Sequence, residues 1–183
     1  MANSTRLNQT LIDFIKKQHM FFVATAAPEG RVNMSPKGLD SLRILSPTHI
    51  RWLNLTGSGN ETAAHIRQSN RMTLMFCAFN GNPMTLRVYG KATVSHSHDA
   101  DWEEKLATFP ELAGTRQIFD LEIDLVHISC GKGVPEMEFA KDRAYEQLEA
   151  HFINLGPEET KAYQKRKNTK SLDGFPTGIL GED

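Results

Sequence analysis

Cysteine is scarce in this chain. Cys77 and Cys130 are the whole complement, and no CxxC pair exists. A zinc site built on paired thiolates is excluded. One disulfide is arithmetically possible, but two buried thiols in a reducing cytosol are the expected state. Charge of one sign is also lacking: 21 Lys and Arg face 22 Asp and Glu, a formal net charge of −1. That balance argues against a general polyanion binder. Long hydrophobic runs are missing. Residues 18–28 carry no Lys, Arg, Asp or Glu, yet fall far short of the roughly 20 apolar residues a membrane span needs. The opening MANSTRLNQT has no cationic stretch leading into an apolar core, so no signal peptide is expected and the location expected is cytoplasmic. No internal repeat or low-complexity segment is evident.

What is present is globular: 39% hydrophobic and 23% charged residues over a length of 183. The length sits near the prior of about 150 residues for one domain. Leu7, Leu11, Ile12 and Ile15 recur at helical spacing, with Ser4 or Thr5 as cap. Extended runs then follow at residues 20–26 and 31–35 around a Pro28-Glu29-Gly30 turn, and at 49–55, 71–79 and 84–95. In residues 116–129, Phe119, Leu121, Ile123 and Leu125 alternate with Asp120, Glu122 and Asp124, which predicts one buried and one wet face. The phase slips at Val126 and Ile128, which predicts a bulge there. Short helices are expected over 60–69, capped by Ser58 or Asn60, and over 99–109. Strands mostly follow strands with turn-length links, so an antiparallel sheet or barrel fits better than a βαβ series. Helices are expected over 136–155 and 157–167, and an extended tail over 168–183.

Three segments carry candidate chemistry. Thr56-Gly57-Ser58-Gly59-Asn60-Glu61-Thr62 lies between a strand and a helix. Free N–H groups at a helix start, with its positive dipole end, form a ready anion site. The plain alternative is that Ser58, Asn60 and Thr62 only cap the helix. No GxxxxGK[ST] string occurs, and Thr62 stands where GxGxxG needs its third glycine, so neither standard phosphate loop is present. The second segment is Asn33-Met34-Ser35-Pro36-Lys37-Gly38, where Pro and Gly are expected to break a strand and free backbone groups. The third is Arg87, which lies in an apolar strand and wants an anionic partner: a cofactor phosphate, Glu61 or a nearby Asp.

The runs FFVATAAPEGRVNMSPKG, HIRWLNLTGSGNETAAHIRQSNRMTLMF and LRVYGKATV resemble the pyridoxamine 5′-phosphate oxidase-like proteins, the FMN-binding split β-barrels. The resemblance covers about residues 7–130. It implies a mainly β fold, a Greek-key split barrel with flanking helices, over residues 1–135. Residues 136–183 would form a helical extension and tail packed on the same domain. It also implies a homodimer with FMN in the cleft between subunits. By resemblance, Asn33, Met34, Ser35, Pro36 and Lys37 contact the isoalloxazine and ribityl chain. Thr56, Gly57, Ser58, Asn60, Glu61 and Thr62 hold the phosphate, and Thr85 and Arg87 border the cofactor.

The chain also departs from true pyridoxamine-phosphate oxidases. Its phosphate turn lacks a Ser-Arg-Lys cluster and carries Glu61, expected to turn away toward Arg67 or Arg87. Its tail reads Asp173-Gly174-Phe175-Pro176, without the arginine of an Arg-Leu-x-Pro string. Pyridoxamine phosphate is therefore not the expected substrate. The expected function is FMN-dependent oxidation or reduction of an unidentified small molecule, with a small substrate or reductant as partner and no nucleic acid or membrane. The alternatives are a flavin or haem storage or sensor module on the same scaffold, or a deazaflavin enzyme. No catalytic acid or base stands out. Competing features read as plain structure: His96, His98 and Asp99 as a solvated loop rather than a metal site, His65 as a packed helix residue, and the basic stretch 161–170 as a solvated helix end. Cys130 is expected to be buried and inert.

Overall fold

The computed structural model describes residues 3–181. Helix α1 (Gln9–Lys16) buries Leu11 and Ile15. Its cap is Asn8, whose Oδ1 accepts the Leu11 N–H at 2.9 Å, rather than Ser4 or Thr5. Ser4 instead bridges to Val126. Strands β1 (Phe21–Thr25) and β2 (Asn33–Lys37) form the expected hairpin. Strands β3 (Leu42–Ser46) and β4 (His49–Leu55) follow, then α2 (Glu61–Gln68), β5 (Arg71–Cys77) and β6 (Thr85–His96). Helix α3 (Trp102–Leu106) is shorter than expected, and β7 spans Thr115–Ser129. All seven strands pair antiparallel in the order β2-β1-β5-β6-β7-β4-β3.

Several local expectations need correction. Pro36 does not break β2: it pairs with Phe22, and the strand runs on to Lys37. β2 is an edge, where a missing N–H can face outward at no cost to the ladder. The bulge in β7 lies at Asp124, earlier than the phase slip implied, because Tyr89 pairs with Leu125 while Gly90 pairs with Ile123. Glycine is required at 90: a Cβ would collide with the Glu122 carbonyl oxygen. Asp120 is not on a wet face; it is buried. A second irregularity is at Arg116. Asn54 pairs with Gln117 and Leu55 with Thr115, so Arg116 is an extra, unpaired residue in β7.

The core lies inside the barrel. Phe21, Trp52, Phe76 and Phe119 form its aromatic centre, with the Trp52 and Phe119 rings stacked at 4.9 Å. Burying each such side chain stabilises by roughly 1.5–3 kcal/mol. A smaller cluster of Leu53, Trp102, Phe109, Leu112 and Ile118 seals the other side of the β4–β7 pair. Residues 135–142 carry no regular structure, so the helix expected from 136 begins later. A π-helical turn (Tyr145–Glu149) leads into α4 (Ala150–Lys167), which is interrupted at Gly156, φ 77°. Pro157 starts the second segment there, a position where its missing N–H costs nothing. The segment after α4 is not an extended tail. Asn168, Ser171 and Thr177 are buried, and Lys170 bridges back to Pro176.

Candidate functional site

The turn after β4 is held from beneath and from outside. The Thr56 hydroxyl donates to the Gly114 carbonyl at 2.7 Å and accepts from Gln164 Nε2 of α4 at 2.8 Å. Asn60 stands at the N-cap position of α2, but its side chain makes no cap hydrogen bond. Its Nδ2 instead donates to the Asn168 carbonyl at 2.9 Å, and Asn168 Nδ2 donates to the Gly57 carbonyl at 3.0 Å. The first-turn N–H groups of α2 are therefore left without a side-chain cap, as an anion site requires. Glu61 turns to the tail: both carboxylate oxygens accept the Leu172 N–H at 3.0 Å, and Arg87 is not its partner. Ser58 and Gly59 are exposed, whereas Thr56, Asn60 and Thr62 are buried.

Strand β2 meets this turn at one end. Asn33 Nδ2 donates to Thr62 Oγ1 at 3.3 Å, and the Ser35 hydroxyl donates to Asn33 Oδ1 at 3.0 Å. Strand alternation puts Asn33, Ser35 and Lys37 on the face that carries Phe21, Val23 and Thr25, with Met34 and Pro36 on the other. Lys37 Nζ lies 5.2 Å from the centre of the Trp52 ring, a cation–π contact. Burial, helped by the positive charge of Arg116, pushes the Lys37 amine down to about 8. Arg116 is 6% exposed. Its Nη1 donates to the Gly59 carbonyl at 2.8 Å, while its Nε has no partner. Burial lowers the guanidinium to about 10, which still leaves it charged at neutral pH.

Thr85 and Arg87 are not brought to the turn. The row Pro36, Phe22, Met75, Arg87, His127 crosses the sheet on the face opposite Lys37. Arg87 does not pair with Glu61; its Nη1 donates to the Ser129 hydroxyl at 3.2 Å.

The match to known proteins decides the family. Residues 7–130 match the pyridoxamine 5′-phosphate oxidase family. The chain belongs to that family. It is 34% identical to the pyridoxamine 5′-phosphate oxidase family protein ustO of Aspergillus flavus, over 93% of this chain and 75% of the relative. In fold it is similar to a Lactobacillus delbrueckii protein named for pyridoxamine 5′-phosphate oxidase, at a TM-score of 0.57 and 23% identity, covering 69% of this chain and 99% of that one. It is also similar to a pyridoxamine 5′-phosphate oxidase-related, FMN binding protein of Nostoc punctiforme, at a TM-score of 0.51 and 15% identity, covering 72% and 89%. The seven-stranded sheet is thus the split barrel of the pyridoxamine 5′-phosphate oxidase-like fold.

Beside the β2 end, this family member has an open cleft of about 1780 Å³. Pro36, Lys37 and Gly38 form one wall, and Cys130, His19 and Phe139 contribute elsewhere. The His19 and Phe139 rings stack at 3.6 Å, which fixes the otherwise irregular segment after β7 against α1. Cys130 is exposed there, contrary to expectation, whereas Cys77 is buried; both are free thiols. His96 is not a solvated loop residue. It is buried, and burial pushes its imidazole down to about 4, so it is neutral. Among the described residues no group of three or more His, Cys, Asp and Glu could hold a metal ion. His65 is buried in α2, with Nδ1 3.1 Å from the Thr25 hydroxyl. No helix among the described residues is long and apolar enough to cross a membrane.

Sequence reasoning missed Arg116, Gln164 and Asn168. Arg116 opens the plainest strand in the chain and gave no sign of its bulge. Asn168 lies in a Gly- and Pro-containing stretch that gave no sign of packing.

Proposed function

We propose that this protein binds FMN and acts as an FMN-dependent oxidoreductase on a small substrate, as a cytoplasmic homodimer with the cofactor between subunits. The observation that carries the reading is the Asn33–Thr62 hydrogen bond. It joins the strand whose far end walls the cleft to the uncapped start of α2. One extended ligand with a planar head and an anionic foot would suit that span. The residues present fit such a group. Lys37 is a desolvated cation that favours negative charge on a ring placed beside it. Backbone groups of Met34, Ser35 and Pro36 lie on an outer edge of the sheet, open to a partner. Thr56, Gly57, Ser58, Asn60 and Thr62 frame the helix start, and Glu61 lies beside Gly59 with both carboxylate oxygens engaged by the Leu172 N–H. Thr85 and Arg87, on the opposite face, would serve the cofactor of a facing subunit. Bound FMN would supply hydride or electron transfer, and the chain supplies position and charge.

The purified protein should be yellow or become so with added FMN. Mass spectrometry of the released ligand should give FMN, and the solution mass should be that of two chains. Reduction by a nicotinamide donor with turnover marks an enzyme; binding without turnover marks a carrier. Colourless protein that ignores FMN in titration calorimetry overturns the flavin reading.

A further inference from the structure

The family-like phosphate turn of this chain has a carboxylate where cations would be expected, yet a cation is present from an unexpected direction. Arg116 is the extra residue of a β-bulge, and bulges re-aim side chains next to sites. Arg116 is 6% exposed, and its guanidinium reaches the Gly59 carbonyl of the turn. Among the described residues no carboxylate pairs with it. The Nε donor is buried and unsatisfied. A buried arginine left so costs several kcal/mol, because desolvation is not offset. A second cation, half-buried Lys37, feels the same positive charge and has no acid partner among the described residues. The nearby α2 start carries free N–H groups and no side-chain cap.

We propose that Arg116 is the phosphoryl-binding cation of this chain, supplying from the β7 bulge the charge that α2 does not carry, at a site closed on its outer side by Gln164 and Asn168. This rests on the proposed binding of a phosphorylated ligand. It adds that the dominant cation comes from the strand and that the segment from α4 onward is part of the site. A phosphoryl oxygen is an acceptor that a guanidinium binds well.

The test compares FMN with riboflavin, which lacks the phosphate, on wild type, Arg116→Gln and Arg116→Lys. Inorganic phosphate is titrated against chloride at equal ionic strength, with thermal melting as readout. Arg116→Gln should weaken FMN by about 100-fold and riboflavin by less than about threefold. Arg116→Lys should recover part of the loss. Phosphate should raise the melting temperature of wild type but not of Arg116→Gln. Equal loss of FMN and riboflavin would show a clasp on Gly59 only and overturn the proposal, leaving flavin binding intact. Phosphate stabilisation that survives in Arg116→Gln, or is absent from wild type, also overturns it. If wild type ignores FMN but shows Arg116-dependent stabilisation by phosphate, the proposal stands and the flavin reading falls. Should Arg116→Gln not fold, the FMN-to-riboflavin ratio in Arg116→Lys decides: a lowered ratio supports the proposal, and an unchanged one overturns it.

Discussion

Strand β7 carries two ionic environments of opposite design. At Asp120, one buried carboxylate gathers His49, Arg51 and Lys105, each at 2.8 Å. Burial alone would raise the Asp120 carboxyl, but hydrogen bonds from Arg51 and Lys105 hold it below its ordinary value. At Arg116, one buried guanidinium has no acid partner among the described residues. The first cluster is satisfied within the chain and joins β4, β7 and α3. The second is satisfied only in part, by a carbonyl. Complete pairing marks a structural device, and an uncompensated charge marks a place kept for something else.

The largest effect expected from this contrast is on Asp120. Asp120→Ala strands the cations Arg51 and Lys105 and leaves the His49 ring without its partner, and should cost about 3–5 kcal/mol in chemical denaturation. A loss below about 1 kcal/mol would dissolve the distinction. Acid should act through the same group. Its folded carboxyl lies below the ordinary range, so its contribution is present above that range and disappears as pH falls through the folded value.

Arg116→Met should behave in the opposite sense. Removing a poorly compensated charge should leave ligand-free stability within about 1 kcal/mol of wild type, or raise it. A loss as large as that of Asp120→Ala would make Arg116 a structural group too. Lys37 gives a sharper, alkaline test. Its folded value is about 8 against 10.5 ordinarily. The unfolded chain therefore binds more protons between those pH values, and stability should rise across the window. That rise should vanish in Lys37→Met, measured as the difference in melting temperature between the two proteins at each pH. The smallest change concerns Glu61. Glu61→Gln keeps an acceptor for Leu172 and removes a charge near the turn, and should tighten FMN by a few-fold with little change for riboflavin.

Much of the barrel was legible because its strands announce themselves by alternation and turn residues. β1, β4, β5, β6 and β7 fall where their apolar patterns place them, whereas β2 runs past the expected stop at Ser35 to Lys37. β3 was not, since Leu42–Ser46 is a short edge whose register is set by pairing with β4 rather than by its own pattern. Asp120 was misread for a related reason: period-two logic assigns polar residues to water, and Arg51, Lys105 and His49 from other elements satisfy the carboxylate in the interior. Of the site, the turn and β2 were readable as local strings. Arg116 was not, because a bulge is a relation between two strands. Nor was the clasp by Gln164 and Asn168, which joins residues more than a hundred positions from the turn.

That clasp has a practical consequence. Arg166 and Lys167 are exposed in the last turn of α4, directly before Asn168, which is wholly buried. A protease that cuts after basic residues would meet its cleavage point at the hinge of the strap. Severing it would release the Asn168 amide from Gly57 and leave Glu61 free to swing. The rate of nicking there, with and without added ligand, is a clock for how often the turn comes undone.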